Sequence, residues 1–128
     1  GWKHVEYGDF YKRARVLYVH DLGKAGVNAT SQTMAIAGGN VVFGHTHRGE
    51  VRYRGHHGSQ GHFGLNVGWL GDYRKLEYSN RLKAEVESRL GFGLVQEIGN
   101  LAFAHFCPIV SGTASLLGQT FKVGQNGA

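Results

Sequence analysis

Val41-Val42-Phe43-Gly44-His45-Thr46-His47-Arg48 is the stretch that decides how this chain is read. Three apolar residues, two of them β-branched, make a run of the length of a buried strand. The glycine after them is expected to let the backbone turn sharply as it leaves the sheet. Two histidines one residue apart then fall in the turn, where their imidazoles can be aimed into one pocket. Imidazole binds zinc, manganese, iron and nickel, and is neutral enough near pH 7 to do so at little deprotonation cost. Metal-assisted chemistry is the first expectation. Whether one chain holds enough ligands to perform it alone is a separate question.

Upstream, Arg15-Val16-Leu17-Tyr18-Val19 is a second apolar run, ending at His20-Asp21. Leu22 to Val27 holds two glycines and reads as a loop. Asn28 then stands as N-cap to an alanine-rich helix, Ala29 to Ala37, which Gly38-Gly39 stops. The order is strand, loop, helix, strand, with a histidine at the carboxyl end of both strands. Open α/β sheets bind ligands at that edge, so joint use of His20, His45 and His47 follows from the topology.

Downstream the texture changes. Glu50 to Arg54 alternates, with Val51 and Tyr53 on one face and Arg52 and Arg54 on the other. A Gly/His-rich loop leads to a short strand, His62 to Val67. The charged segment 73–90, with Leu76, Leu82, Val86 and Leu90 at partly helical spacing, predicts a surface helix capped by Asp72. Phe92 to Ile98 and Leu101 to Ile109 predict a hairpin about Gly99-Asn100, a pair that tolerates the positive φ of a tight turn. Gln119 to Val123 predicts a last strand, and 124–128 a flexible tail. No internal repeat and no long linker divides the chain, so residues 1–128 read as one domain or part of one.

Composition narrows the partners. The 14 Lys+Arg against 9 Asp+Glu give a net charge of +5, which favours an anionic partner such as phosphate or nucleic acid, or is a solvated basic surface. A single Cys107 rules out an internal disulfide framework and points to a reducing, cytoplasmic setting. No apolar run approaches membrane-spanning length, so no membrane partner is expected. The 21 glycines suit a loop-rich protein whose backbone approaches something closely. The chain begins at Gly1 rather than Met, as a trimmed, processed or partial chain would.

Gly44-His45-Thr46-His47-Arg48 resembles the GHTH signature that closes the active site of calcineurin-like metallophosphoesterases. Tyr18-Val19-His20 resembles the strand-end histidine that precedes it in that family. Asn66-Val67-Gly68, Gly91-Phe92-Gly93-Leu94-Val95, and His105 followed by Pro108-Ile109, resemble the closing strands of its phage and bacterial branch. The resemblance covers most of the chain. It implies an α/β class, the C-terminal part of a four-layer α/β/β/α sandwich with a centre of two divalent ions (Mn, Fe, Zn or Ni) at the strand ends. By that resemblance His20 and His45 hold one ion and His47 the other, and Arg48 either contacts phosphate or pairs with a carboxylate. Two ions roughly 3.5–4 Å apart suit hydrolysis of a phosphomonoester or phosphodiester, with a nucleotide or nucleic acid among the substrates.

The chain also departs from the family. The D-x-H, G-D and G-N-H segments expected before the strand-end histidine are missing; Gly8-Asp9 matches G-D by letters only, since no apolar strand precedes it. Asp21 stands where the family usually has glycine, and its carboxylate either braces a metal-binding histidine or is itself a ligand. Three histidines without a bridging carboxylate do not make a two-ion hydrolase. The expectation is therefore the C-terminal half of such an enzyme, inactive alone, its exposed sheet edges and apolar faces covered by a complementary N-terminal chain or by self-association. Two other classes stand beside it: a non-catalytic interaction module on the same fold, and a small zinc domain using His20, His45 and His47 plus water. Asn66 is expected as a turn former near the site, able to support the ligands from behind as Asp21 does, with His56, His57 and His62 as loop residues and His105 as a packed strand residue. Trp2, Trp69 and the phenylalanines are expected in the core or at a partner contact.

Overall fold

Alternating side chains on short strands build two sheets. A computed structural model describes residues 1–55, 57–58, 60–71 and 90–122. The elements are β1 (Phe10–Arg13), β2 (Val16–Val19), α1 (Ala29–Ala37), β3 (Asn40–Phe43), β4 (Gly49–Arg54), β5 (His62–Val67), β6 (Gly91–Ile98), β7 (Leu101–Val110), β8 (Thr113–Leu116) and β9 (Gln119–Lys122). The first sheet has the order β1-β2-β3-β5-β4, and the second is the meander β6-β7-β8-β9. In the first, β2, β3 and β5 run parallel, and β1 and β4 are antiparallel edges. This mostly-β chain with one helix among the described residues belongs to the α/β class expected from its sequence.

The two faces of the first sheet follow from the period of two. Leu17, Val19, Val41 and Phe43 turn to one side and meet Met34 and Ala37 of α1. Val16, Phe63 and Leu65 turn to the other and pack with Ala104 of β7, joined by Tyr18, Val42, Val51, Val67, Val95 and Phe106. The described residues thus form three layers: helix, sheet, sheet. Gly64 is where the helix comes closest, for a Cβ there would stand 2.5 Å from Met34 Cγ and 3.1 Å from Thr30 Cγ2. Gly93 plays the same part between the sheets, since its Cβ would lie 2.9 Å from both Leu65 Cδ2 and Val67 Cγ1.

Among the described residues, polar contacts tie the layers together. Arg13 Nε donates to Glu97 Oε1 at 2.9 Å, joining β1 to β6. Arg52 Nη1 donates to Ser31 Oγ at 2.7 Å, joining β4 to α1. The Tyr53 hydroxyl donates to the Ala104 carbonyl at 3.0 Å and accepts from the Ala104 N–H at 3.3 Å.

Several local expectations change. Asn28 occupies the N-cap of α1 but makes no side-chain capping bond, while Gly38 closes the helix in the left-handed region at φ 66°. Two strands, β1 and β8, were not foreseen. Asn66 is no turn former: it lies inside β5, paired opposite Phe43 and Glu50, and is fully buried. The helix expected over 73–90 falls almost wholly outside the described residues, as do its cap Asp72, His56 and the tail 124–128.

Candidate metal centre

The carboxyl ends of β2 and β3 lie side by side because the two strands pair in parallel, Tyr18 opposite Val42. Gly44, the first residue past β3, donates its N–H to the His20 carbonyl at 2.9 Å. That bond prolongs the pairing by one step and sets the loop 44–48 beside His20. Gly44 itself is not in the left-handed region; His45 (φ 67°) and His47 (φ 56°) are. The turn is therefore made by the histidines and not by the glycine, contrary to the expectation from sequence. A left-handed residue with a Cβ costs about 1–2 kcal/mol. Two such residues fall within three positions of this loop, as two adjacent ones, Ala14 and Arg15, do in the turn between β1 and β2.

The loop brings His45 to His20. His20 Nε2 and His45 Nδ1 are 3.2 Å apart, with the rings edge to face. Asp21 Oδ2 lies 3.9 Å from His20 Nε2. One donor atom each from His20, Asp21 and His45 falls within 4.8 Å of the others. Two nitrogens on one tetrahedral ion, each at about 2.0–2.1 Å from it, are separated by roughly 3.3 Å. The His20–His45 spacing thus fits two ligands of a zinc-like ion, while the Asp21 oxygen, 3.9 Å from His20 Nε2, stands farther out than a tetrahedral ligand would. Asp21 also accepts the Gly23 N–H through Oδ1 at 2.7 Å, which fixes the carboxylate and leaves Oδ2 toward the histidines.

His47 does not join this cluster. Its ring lies flat on Trp69, centroids 4.9 Å apart and planes 9° from parallel. Burial pushes its imidazole below the ordinary range, and the neighbouring His45 pushes it the same way. Trp69 is held in place by the first residues of the second sheet: its carbonyl accepts the Gly91 N–H at 3.0 Å, and it bridges to Leu90. A neutral imidazole is the form that ligates, so the depressed basicity suits a ligand as well as a stacked ring.

Beneath the loop, Asn66 Nδ2 donates to Thr46 Oγ1 at 2.6 Å. Its Oδ1 is buried without a hydrogen-bond partner. The contact fixes the residue between the two histidines, a role that the sequence shows only in placing Asn66 near the end of an apolar strand. Arg48 is half-buried just beyond His47. His57 is exposed in its loop and His62 opens β5, both away from the strand-end cluster. His105 sits in β7 as a packed residue. The N-terminal segment was missed altogether: the Tyr7 ring lies 5.3 Å from that of His20. Nothing in the letters around Tyr7 announces it, because the contact arises from β1 folding back on β2. Set against known proteins, the chain matches no protein-family model, no curated protein and no solved structure.

Proposed function

We propose that this chain is a metal-dependent phosphoesterase module, the C-terminal part of a four-layer metallophosphoesterase sandwich. The observation that carries the reading is the 3.2 Å approach of His20 Nε2 to His45 Nδ1, with the Asp21 carboxylate beside them at the carboxyl ends of two parallel strands. His20, His45 and Asp21 would hold one divalent ion, and His47 would donate to a second. Manganese, iron, zinc or nickel in such a centre supplies a water of lowered pKa and neutralises charge on phosphoryl oxygens. The chain's own residues position these donors: Asn66 through Thr46, Gly44 through the His20 carbonyl, and Trp69 through the His47 ring. In this reading Arg48 would contact the phosphate, and the net charge of +5 suits an anionic substrate.

Among the described residues one carboxylate accompanies the strand-end histidines, and a two-ion centre needs a bridging carboxylate and further donors. In this reading they come from a complementary chain carrying the N-terminal half, or from a second copy, and the assembly works in the cytoplasm. No described helix is long and apolar enough to cross a membrane. A second reading has its own observation. Asp21 joins His20 and His45 while His47 stacks on Trp69, which is the donor set of a three-ligand, single-ion zinc site.

Metal counting separates the two. Two ions per assembly, bound only with the complementary chain and accompanied by manganese-stimulated cleavage of a chromogenic phosphoester, support the phosphoesterase module. One tight zinc on the chain alone supports the single-ion site. Cleavage that persists in His45→Ala and His47→Ala overturns the first reading.

A further inference from the structure

A cavity of about 630 Å³ opens directly beside His20. That is the size of a small-molecule site. It lies between the ends of β2 and β3 and the N-terminal segment. Three of its walls are phenol rings. Tyr11 and Tyr18 are cross-strand partners on β1 and β2, their centroids 6.0 Å apart and their planes tilted by 41°. Tyr7 comes from the segment that crosses over His20. That segment is bent by a tight turn in which Asp9 N–H donates to the Glu6 carbonyl at 3.0 Å, with Gly8 at φ 90°. Glu6 and Asp9, at the two ends of that turn, belong to the cavity lining as well.

We propose that this cavity receives the nucleobase of a nucleoside monophosphate whose phosphate lies at the His20–His45 pair. The proposal rests on the phosphoesterase reading above and names its substrate class. Aromatic rings offer faces on which any base can stack, and Lys3 Nζ, 5.1 Å from the centroid of the Tyr11 ring, would move aside or cover the base. Asp9 adds a carboxylate acceptor there and Glu6 a second, which faces His4 Nδ1 at 3.4 Å; such acceptors suit a base carrying an exocyclic amine, such as adenine, over a bare sugar. His20 is the hinge of the arrangement, since it belongs both to the cavity wall and to the metal cluster.

Equilibrium dialysis of the full chain, metal-free and zinc-loaded, against adenosine, adenosine 5′-monophosphate and ribose 5-phosphate tests this. Adenosine is expected to bind both forms, because the cavity does not need the ion. The monophosphate is expected to bind tighter than adenosine only in the zinc-loaded form, and ribose 5-phosphate to bind weakest. Tyr7→Ala and Tyr11→Leu, checked for folding by circular dichroism, are expected to weaken adenosine binding about fivefold or more, the effect of losing one stacking face. Adenosine binding without gain from the phosphate in the zinc-loaded form overturns the shared site and the metal reading while leaving the base cavity. Ribose 5-phosphate binding as tightly as the monophosphate, no adenosine binding at millimolar concentration, or indifference to both tyrosine substitutions overturns the base cavity while leaving the metal reading.

Discussion

The imidazole of His47 lies parallel to the indole of Trp69 at 4.9 Å, while His45, two residues earlier, points its Nδ1 at His20 instead. One short loop thus gives its two histidines opposite partners, an aromatic ring and a second imidazole. Trp69 thus covers one face of the His47 ring. Burial lowers the folded pKa of His47, and the unfolded value is the ordinary one of about 6.5. Between those values the unfolded chain binds more protons, so stability contributed here is complete above the ordinary value and is lost as pH falls toward the folded one. In Trp69→Leu the ring gains solvent and its midpoint should rise toward the ordinary range. Titration of the His47 ring protons by NMR in both proteins checks this; an unchanged midpoint would show that the stack is not the cause.

The left-handed φ of His45 sets stability against binding. His45→Gly and His45→Ala both delete the imidazole, so both should lower zinc affinity by at least about 100-fold in competition with a chromophoric chelator. They should differ in stability, because only glycine takes φ 67° without strain. His45→Gly is expected to be more stable than His45→Ala by about 1 kcal/mol in urea unfolding. Equal stability of the two would remove strain from the account of this loop.

Asn66 should act on the site more than on the fold. Asn66→Ala loses the hydrogen bond to Thr46, a net effect of about 0.5–1.5 kcal/mol, but it also removes a buried acceptor that has no partner. The stability change should therefore be small, while zinc affinity falls about tenfold as the loop between His45 and His47 loosens. A loss of stability with unchanged affinity would assign Asn66 to the core alone.

Helix α1 is seated on a missing side chain. Gly64→Ala drives a methyl into Met34 and Thr30, both buried, and should cost about 1–3 kcal/mol. Adding Met34→Ala in the same chain vacates the space, so the pair should cost less than the sum of the single changes. Strict additivity in denaturant melts would mean that the helix shifts instead of clashing.

Much of this was legible in the sequence where one period ruled a whole segment. Val16 to Val19, Ala29 to Ala37, Val41 to Phe43 and His62 to Val67 each carry a single clear pattern, and the hairpin about Gly99-Asn100 carries a turn signal between two such patterns. β1 was not legible, because Phe10-Tyr11-Lys12-Arg13 is an exposed edge with little apolar alternation. It is a strand only because Ala14 and Arg15 adopt the paired positive φ of a tight hairpin turn. β8 is likewise a partner's strand, drawn in by β7 and β9. At the site, His20 and His45 were legible as strand-end residues, but their mutual distance was not. The joining of Asp21, the stacking of Trp69 on His47 and the approach of Tyr7 all depend on pairings between distant segments. Asn66 was misread because an asparagine before Val-Gly has the letters of a turn, whereas its backbone continues the ladder.

The phenol of Tyr53 has one more consequence. Its oxygen both gives a hydrogen bond to the Ala104 carbonyl and takes one from the Ala104 N–H. A peptide group lying alongside in a new strand would satisfy that residue in the same way. A single side chain from the neighbouring sheet therefore stands in for a strand at this point of β7 and denies it to any other chain. If the module does recruit a complementary half, Tyr53 helps to decide where that half cannot go, and Tyr53→Phe would leave a vacant rung on the ladder, open to unwanted self-pairing.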